Sequence, residues 1–151
     1  MSDPSGDACP WTPDHSRDAR MRELFGTARV VAVVGMSPKP DRPSNDVARY
    51  LRRHGFTIVP VHPSAREIEG LRCYPDLRAI PGGAGIELVD LFVAPARTMA
   101  VVEQAAEIGA KIVWFQPGAE HAPAEERARE LGLEVFSGLC TMAEHARLFG
   151  G

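Results

Sequence analysis

Short apolar stretches recur along this chain, and amphipathic or polar segments separate them. The first stretch, Val30–Val34, is an unbroken run of small or β-branched residues. A run without alternation is typical of a strand that is buried on both faces of a parallel sheet. Further strands are predicted over residues 56–61, 88–93, 111–115 and 133–136, with a short one over residues 71–74.

The segments between these strands predict helices. Residues 44–53 begin at Ser44 with helix-start composition and then place apolar side chains on one stripe. Similar patterns predict helices over residues 16–26, 98–108 and 123–131 and from Thr141 onward. Strands and helices therefore alternate, which predicts an α/β fold: a three-layer, Rossmann-like, doubly wound and mainly parallel sheet of about five strands.

The domain organisation predicted from the sequence is simple. Residues 1–15 are rich in Pro, Asp, Ser and Gly and are expected to form a flexible tail. Residues 16–151 are expected to form one domain, because a chain of 151 residues can bury a sizeable core. Residues 81–85 read Pro-Gly-Gly-Ala-Gly, which predicts a flexible connection.

Charge, hydropathy and cysteine content limit which partners and which compartment are expected. The 17 basic and 20 acidic residues give a net charge of −3, which does not favour nucleic-acid binding. No apolar run approaches the roughly 18 residues of a membrane span, so no membrane association is expected. The cysteines Cys9, Cys73 and Cys140 are widely spaced and form no CxxC motif. Reduced thiols in a cytoplasmic protein are therefore expected.

The loop after the first strand has the composition of an anion site. Gly35 ends the strand, and Ser37, Lys39 and Arg42 precede the helix start at Ser44. A strand–glycine–helix unit presents backbone N–H groups and a positive helix end to a ligand, and phosphate is the usual anion there. Ligands of doubly wound sheets bind beyond the carboxyl ends of the strands, so the exits at His62, Ala94 and Gln116 are also candidates.

The same loop argues against a nicotinamide dinucleotide. It reads Gly35-Met36-Ser37-Pro38-Lys39-Pro40 and lacks the second and third glycines of GxGxxG, and the second strand ends Val61-His62-Pro63 without an acidic residue. Two cations, Lys39 and Arg42, suit a ligand with more phosphate, and coenzyme A (CoA) fits. The alternative is that both cations are solvated loop residues.

The string V-G-M-S-x-K-P-x-R-x-S-x-x-V-A-x-Y-L over residues 34–51 resembles the small stand-alone CoA-binding proteins. These consist of one Rossmann-like domain similar to the CoA-binding domain of the succinyl-CoA synthetase α-subunit. The likeness continues through residues 59–63, 89–92, 109–118 and 144–148 and covers about Met21 to the C-terminus. Two departures are His62, where the family often has Asn, and Gly138-Leu139 before Cys140, where it commonly has Asp-Arg.

By that resemblance, the backbone from Gly35 to Lys39 and the Ser37 side chain hold the diphosphate, with Arg42 and Ser44 assisting. Residues at the exit of the second strand border the adenosine, and Val93, Ala94 and Pro95, with Arg97 nearby, line the path of the adenine or the pantetheine arm. The ligand residues predicted in this way and from the strand exits are Gly35, Met36, Ser37, Pro38, Lys39, Arg42, Ser44, Val61, His62, Pro63, Val93, Ala94, Pro95, Arg97 and Gln116.

No catalytic constellation or metal-ligand spacing is found among the histidines, and the phosphorylated histidine of the synthetases belongs to another domain. The sequence therefore predicts a protein that binds CoA or an acyl-CoA, as a sensor, carrier or regulatory partner of a protein not identified. The alternatives are a subunit of an acyl-CoA-handling enzyme and an NAD(P)-binding oxidoreductase. Cys140, near a predicted helix start, is a candidate for a mixed disulfide with CoA, or else a small apolar packing residue.

Overall fold

The computed structural model describes residues 15–150, so the predicted tail lies outside it except for His15, with which the first helix begins. The helices are α1 His15–Thr27, α2 Pro43–Arg53, α3 Thr98–Glu107, α4 Ala122–Glu130 and α5 Thr141–Phe149. The strands are β1 Val30–Val34, β2 Thr57–Val61, β3 Glu67–Ile68, β4 Leu71–Arg72, β5 Leu88–Leu91, β6 Ile112–Phe115 and β7 Glu134–Ser137. The bounds of the main strands and helices agree with the sequence prediction to within two residues.

Five of these strands form one parallel sheet in the order β2-β1-β5-β6-β7. In β1, Val31 is paired with Ile58 of β2 on one side and with Leu88 of β5 on the other. The chain therefore builds outward from β1 in one direction and then, from β5 on, in the opposite direction. This confirms the predicted doubly wound sheet, and its switch point lies between β1 and β5, where such folds open a crevice.

The core has two parts, one on each face of the sheet. Val31 and Val33 of β1 belong to the part that includes buried side chains of α1 and α2, and residues of α5 pack against it. Ala32 and Val34, which alternate with them, belong to the part that α3 and α4 cover. Because successive side chains of a strand point to opposite faces, a strand covered on both sides needs an unbroken apolar run, as β1 has.

β5 is shorter than the sequence predicts, and the difference shapes the crevice. Residues 88–93 were predicted as one strand because all but Asp90 are apolar, but β5 ends at Leu91. The Phe92 N–H still donates to Val34 O at 2.8 Å, after which the chain leaves the sheet and enters a 3₁₀ turn at Pro95–Arg97. Phe92 and Val93 are therefore loop residues.

The segment after β2 also differs from its prediction. The strand predicted over residues 71–74 is limited to β4, which pairs antiparallel with β3 as a small hairpin. Glu69 and Gly70 form its turn, with φ values of 52° and 79°. Tyr74 instead forms a parallel bridge with Val61. The flexible connection predicted over residues 81–85 is a short 3₁₀ helix.

Gly35 joins the ends of three strands. Its N–H donates to Val61 O of β2 at 2.9 Å, and its φ of +91° is one that residues with a Cβ rarely adopt. A methyl group placed on Gly35 would lie 2.5 Å from Phe92 O and 2.9 Å from Val93 Cγ1. The loops that follow β1 and β5 can therefore pack this closely only if residue 35 is glycine.

Replacing Gly35 with alanine is expected to destabilise the protein more than replacing Gly132, which follows α4. Gly132 has a similar φ of +86°, but no atom lies within 4 Å of a methyl group placed on it. Gly132→Ala should therefore lower the free energy of unfolding by about 1 kcal/mol through backbone strain alone, and Gly35→Ala by roughly 3 kcal/mol or more. Urea denaturation measures both, and equal losses would contradict the close packing of the two loops.

Candidate functional site

Two adjoining cavities open at the carboxyl ends of β1 and β5. The first lobe, about 660 Å³, lies between the β1–α2 loop, residues 91–94, residues 116–119 and the start of α5. The second lobe, about 630 Å³, lies between the β2 exit, residues 92–94, residues 75–77 and α3. They share the lining residues Gly35, Ser37, Phe92, Val93 and Ala94. One elongated ligand could therefore occupy both lobes and pass over Gly35.

The walls of the first lobe are largely apolar. The apolar lining residues are Pro43, Val47, Leu91, Phe92, Val93, Ala94, Pro117, Ala119 and Met142. Polar groups come from Arg42, Ser44 and Asp46 at one side and from Gln116 at the other. Cys140, half-buried at the start of α5, lines the same lobe and also packs against the core. The lobe suits an uncharged chain that has a polar group at intervals.

The polar side chains that line the second lobe but not the first are His62, Asp76, Arg97 and Gln104. The His62 ring is held by two backbone donors, since its Nδ1 accepts from the N–H groups of Ser64 at 3.2 Å and Ala65 at 3.0 Å. Nδ1 is therefore an acceptor, and the neutral ring carries its proton on Nε2. That leaves Nε2–H as a donor for a ligand in this lobe.

The β1–α2 loop is organised by its own hydroxyl groups. Ser44 Oγ accepts from the Ser37 N–H at 3.1 Å and donates to Asn45 Oδ1 at 2.9 Å. Ser37 Oγ accepts from the Lys39 N–H at 3.0 Å. The Met36 side chain lies in the core. Several of the backbone N–H groups assigned to a diphosphate thus have partners inside the loop, and Ser44 is a buried support of the loop.

Asn45 connects this loop to the β3–β4 hairpin, and sequence reasoning missed it. Its fully buried amide nitrogen donates to Ser37 O at 2.9 Å and to Glu69 Oε2 at 2.7 Å. Glu69 also pairs with Arg49 at 2.6 Å. The only available signal was the composition of the helix start, which indicated a cap and gave no hint of a bond to a hairpin 24 residues away.

The two cations of the loop differ in position. Lys39 and Arg42 are both exposed, and within residues 15–150 neither side chain has a recorded hydrogen bond or ion pair. Only Arg42 lines a lobe of the crevice. A guanidinium that is held by no carboxylate is free to bind an anion there, so Arg42 is the better placed of the two to contact a phosphate.

Most of the predicted ligand residues meet at this crevice. Arg42, Ser44 and Gln116 line the first lobe, and Gly35, Ser37, Val93 and Ala94 line both. Pro38, Val61, His62, Pro63 and Arg97 line the second lobe. Met36, Lys39 and Pro95 line neither. The crevice residues that the sequence prediction omitted include Phe92, which was placed in a strand, and Asp76 and Gln104, whose polarity alone is a weak signal.

A buried polar network lies behind the first lobe and joins β5, β6 and α5. Gln116 Nε2 donates to Asp90 Oδ1 at 2.5 Å and to Thr141 Oγ1 at 2.8 Å, and Thr141 Oγ1 donates to Asp90 Oδ2 at 2.9 Å. All three side chains are buried. Burial raises the pKa of Asp90 to about 7, although the hydrogen bonds from Gln116 and Thr141 favour its charged form.

Two kinds of feature are missing from the part of the chain that the structure describes. No group of three or more His, Cys, Asp or Glu side chains among residues 15–150 could hold a metal ion. In the same residues, no helix has both the length and the apolar character to cross a membrane.

The chain matches the family model described as CoA binding domain over residues 29–146. It is 31% identical over 128 residues to the uncharacterised protein YneT of Bacillus subtilis, which covers 85% of this chain and 93% of YneT. A hypothetical protein from Pyrococcus horikoshii OT3 has a similar structure, with a TM-score of 0.85, 41% identity and coverage of 99% of this chain and 100% of that one.

A part of a larger enzyme is also similar. The ADP-forming acetate–CoA ligase I of Archaeoglobus fulgidus is 36% identical over 77 residues, which are 51% of this chain but 11% of the ligase. The chain therefore spans about a tenth of the length of that ligase, whereas it matches nearly the whole length of YneT and of the Pyrococcus protein.

The raised pKa of Asp90 predicts a pH dependence of stability. The folded protein keeps this proton up to about pH 7, whereas an unfolded carboxyl releases it near 3.8. The free energy of unfolding should therefore fall as the pH rises between these values and stay level, for this group, above them. Asp90→Asn, which has no proton to release, should lack this loss.

Urea denaturation of both proteins at about pH 5 and about pH 8 tests the prediction. Because one pKa unit corresponds to about 1.4 kcal/mol, the wild type should lose about 2 to 3 kcal/mol more than Asp90→Asn over this interval. The other titrating groups are common to both proteins and cancel in the comparison. Parallel pH dependences would contradict a raised pKa at Asp90.

Proposed function

This chain belongs to the family of CoA-binding domains, and we propose that its crevice binds coenzyme A or an acyl-CoA. One observation carries the proposal: two adjoining lobes meet over Gly35 at the switch point of the sheet, with Arg42 lining one of them. CoA suits a crevice divided in this way, because a charged nucleotide is joined through a diphosphate to a long uncharged arm.

The diphosphate is assigned to the junction of the two lobes. Gly35 has no side chain to hold a ligand away from the backbone, and Ser37 lines both lobes. Arg42, whose guanidinium has no partner among residues 15–150, lies on the first-lobe side, and Lys39 adds a second positive charge outside both lobes. The attraction for phosphate comes mainly from these side chains, since the N–H groups of Ser37 and Lys39 already donate to hydroxyls.

The nucleoside is assigned to the second lobe. His62 Nε2–H is a donor there, Asp76 an acceptor and Arg97 a cation. Apolar surfaces of Val61, Pro63 and Val101 provide contacts for a planar base. The β2 exit has no carboxylate at residues 61–63 for the ribose hydroxyls of a nicotinamide dinucleotide, which favours CoA over NAD.

A role as part of an acyl-CoA-handling enzyme is the second candidate, and the similarity to a segment of an acetate–CoA ligase favours it. In that case this chain supplies the CoA site and another subunit supplies the chemistry. Incubation of the purified chain with acetyl-CoA, ADP and phosphate, alone and with candidate partner subunits, distinguishes the two. Formation of ATP only in the presence of a partner would favour the enzyme role.

Isothermal titration calorimetry with CoA, acetyl-CoA, NAD and NADP tests the proposed function directly. We expect heat of binding with CoA or acetyl-CoA and none with NAD, since both parts of the NAD signature are missing. Binding of NADP without CoA would leave the fold and the anion site intact but would overturn the proposed ligand.

The contribution of Arg42 and Lys39 to phosphate binding is tested by removing one of these positive charges at a time. Arg42→Ala should weaken CoA binding by about 2 kcal/mol, or roughly 30-fold, because it loses charge-assisted hydrogen bonds. Lys39→Ala should weaken it less, since Lys39 lies outside both lobes. Arg52→Ala is the matched control, because Arg52 is an exposed arginine of α2 away from the crevice. Unchanged affinity in both loop variants, or an equal loss in the control, would mean that the phosphates are wrongly placed.

A further inference from the structure

The two branches of the Gln116 side-chain amide have different surroundings. Its nitrogen donates to both Asp90 and Thr141. Its oxygen, Oε1, has no recorded donor within residues 15–150, although the residue is only 3% exposed. Gln116 lines the first lobe of the crevice. A buried acceptor without a donor is unfavourable, and it is satisfied when a ligand donor reaches it.

The network fixes which way this amide faces. Thr141 Oγ1 uses its proton on Asp90 Oδ2, so it can only accept from Gln116. Reversing the amide would place Oε1 against Thr141 Oγ1 and against an ionised Asp90 Oδ1, which are both acceptors. With Asp90 charged, the nitrogen therefore stays on the network, and the oxygen occupies the other position of the planar amide group.

The lining of the first lobe and the network limit what Gln116 can bind. Leu91, Phe92, Val93 and Ala119 line the lobe together with Gln116, and the Asp90 carboxylate is bonded to the nitrogen of the same amide. A phosphate or carboxylate oxygen would meet an acceptor backed by a negative charge and would be repelled. A neutral N–H donor on an otherwise apolar chain satisfies both conditions.

We propose that Gln116 Oε1 accepts a hydrogen bond from an amide N–H of the uncharged arm of the ligand. Gln116 thereby recognises that arm in the first lobe. This inference rests on the proposed function, because the arm in question is that of CoA, which contains two amides. Asp90 and Thr141 act as positioning residues, since they touch Gln116 and hold its amide in one orientation. The nucleotide in the second lobe makes no contact with this amide.

The experiment compares two ligands by calorimetry at about pH 8, where Asp90 is mostly ionised. One is CoA, and the other is 3′-phosphoadenosine 5′-diphosphate, which is its nucleotide without the arm. Gln116→Met should weaken CoA binding about 5- to 10-fold, as expected for the loss of one hydrogen bond, and leave the affinity for the nucleotide unchanged. Arg52→Ala is the control and should change neither affinity, because Arg52 is exposed and lines neither lobe.

A ligand-side test begins with the wild-type protein, so its first step does not depend on the variant folding. Two CoA analogues, each with one amide N–H of the arm replaced by an ester oxygen, are titrated into the wild-type protein. One of them should bind about 5- to 10-fold more weakly than CoA, and that difference should vanish in Gln116→Met, as in a double-mutant cycle.

The outcomes separate this inference from the proposed function. If the wild-type protein binds neither CoA nor the nucleotide, the proposed function is wrong and the inference falls with it. If it binds CoA but both ester analogues bind as tightly as CoA, or Gln116→Met weakens CoA and nucleotide binding equally, only the reading of the arm by Gln116 is wrong.

Discussion

The crevice of this protein depends on one close backbone contact. Gly35 ends β1, and a side chain there would collide with the carbonyl group of Phe92 after β5. The same residue donates its N–H to Val61 at the end of β2. Three adjacent strands of a parallel sheet thus end against one glycine, and the two lobes open on either side of it. A ligand that crosses from one lobe to the other passes over Gly35, which adds no side-chain volume to the junction.

Around this contact the polar groups divide into buried supports and exposed cations. Ser44 and Asn45 are buried and hold the β1–α2 loop to α2, and Asn45 extends the support to Glu69 of the hairpin. Arg42 and Lys39 are exposed and have no recorded ion-pair partner in the described part of the chain. Buried hydrogen bonds give the loop its shape, while the two charges stay solvated, which avoids the free-energy cost of burying them. Under the proposed function, these solvated charges attract the phosphate, since few N–H groups of the loop are free to do so.

Local sequence patterns predicted the fold and many of the residues that line the crevice. The features that the sequence could not show depend on contacts between residues that are far apart along the chain. The unbroken run of β1, Gly35 after it and the alternation of strand and helix depend on neighbouring residues and on general packing rules, so they could be read directly. The end of β5 at Leu91 could not, because Phe92 and Val93 are as apolar as the strand before them and only the approach of Gly35 separates them from it. The polar network was hidden for the same reason, since Thr141 is 51 residues from Asp90 along the chain.

That network gives a physical reason for a carboxylate in the centre of an apolar sheet. Burying Asp90 is unfavourable, as its raised pKa shows, and well-packed apolar residues at the same positions would be expected to serve stability at least as well. What an apolar replacement could not do is orient the Gln116 amide, because the ionised Asp90 carboxylate and the Thr141 hydroxyl both accept from its nitrogen. The stability lost by burying Asp90 is thus linked to a fixed acceptor in the wall of the crevice. In this interpretation, the interior of the sheet is part of the binding site although no ligand touches it.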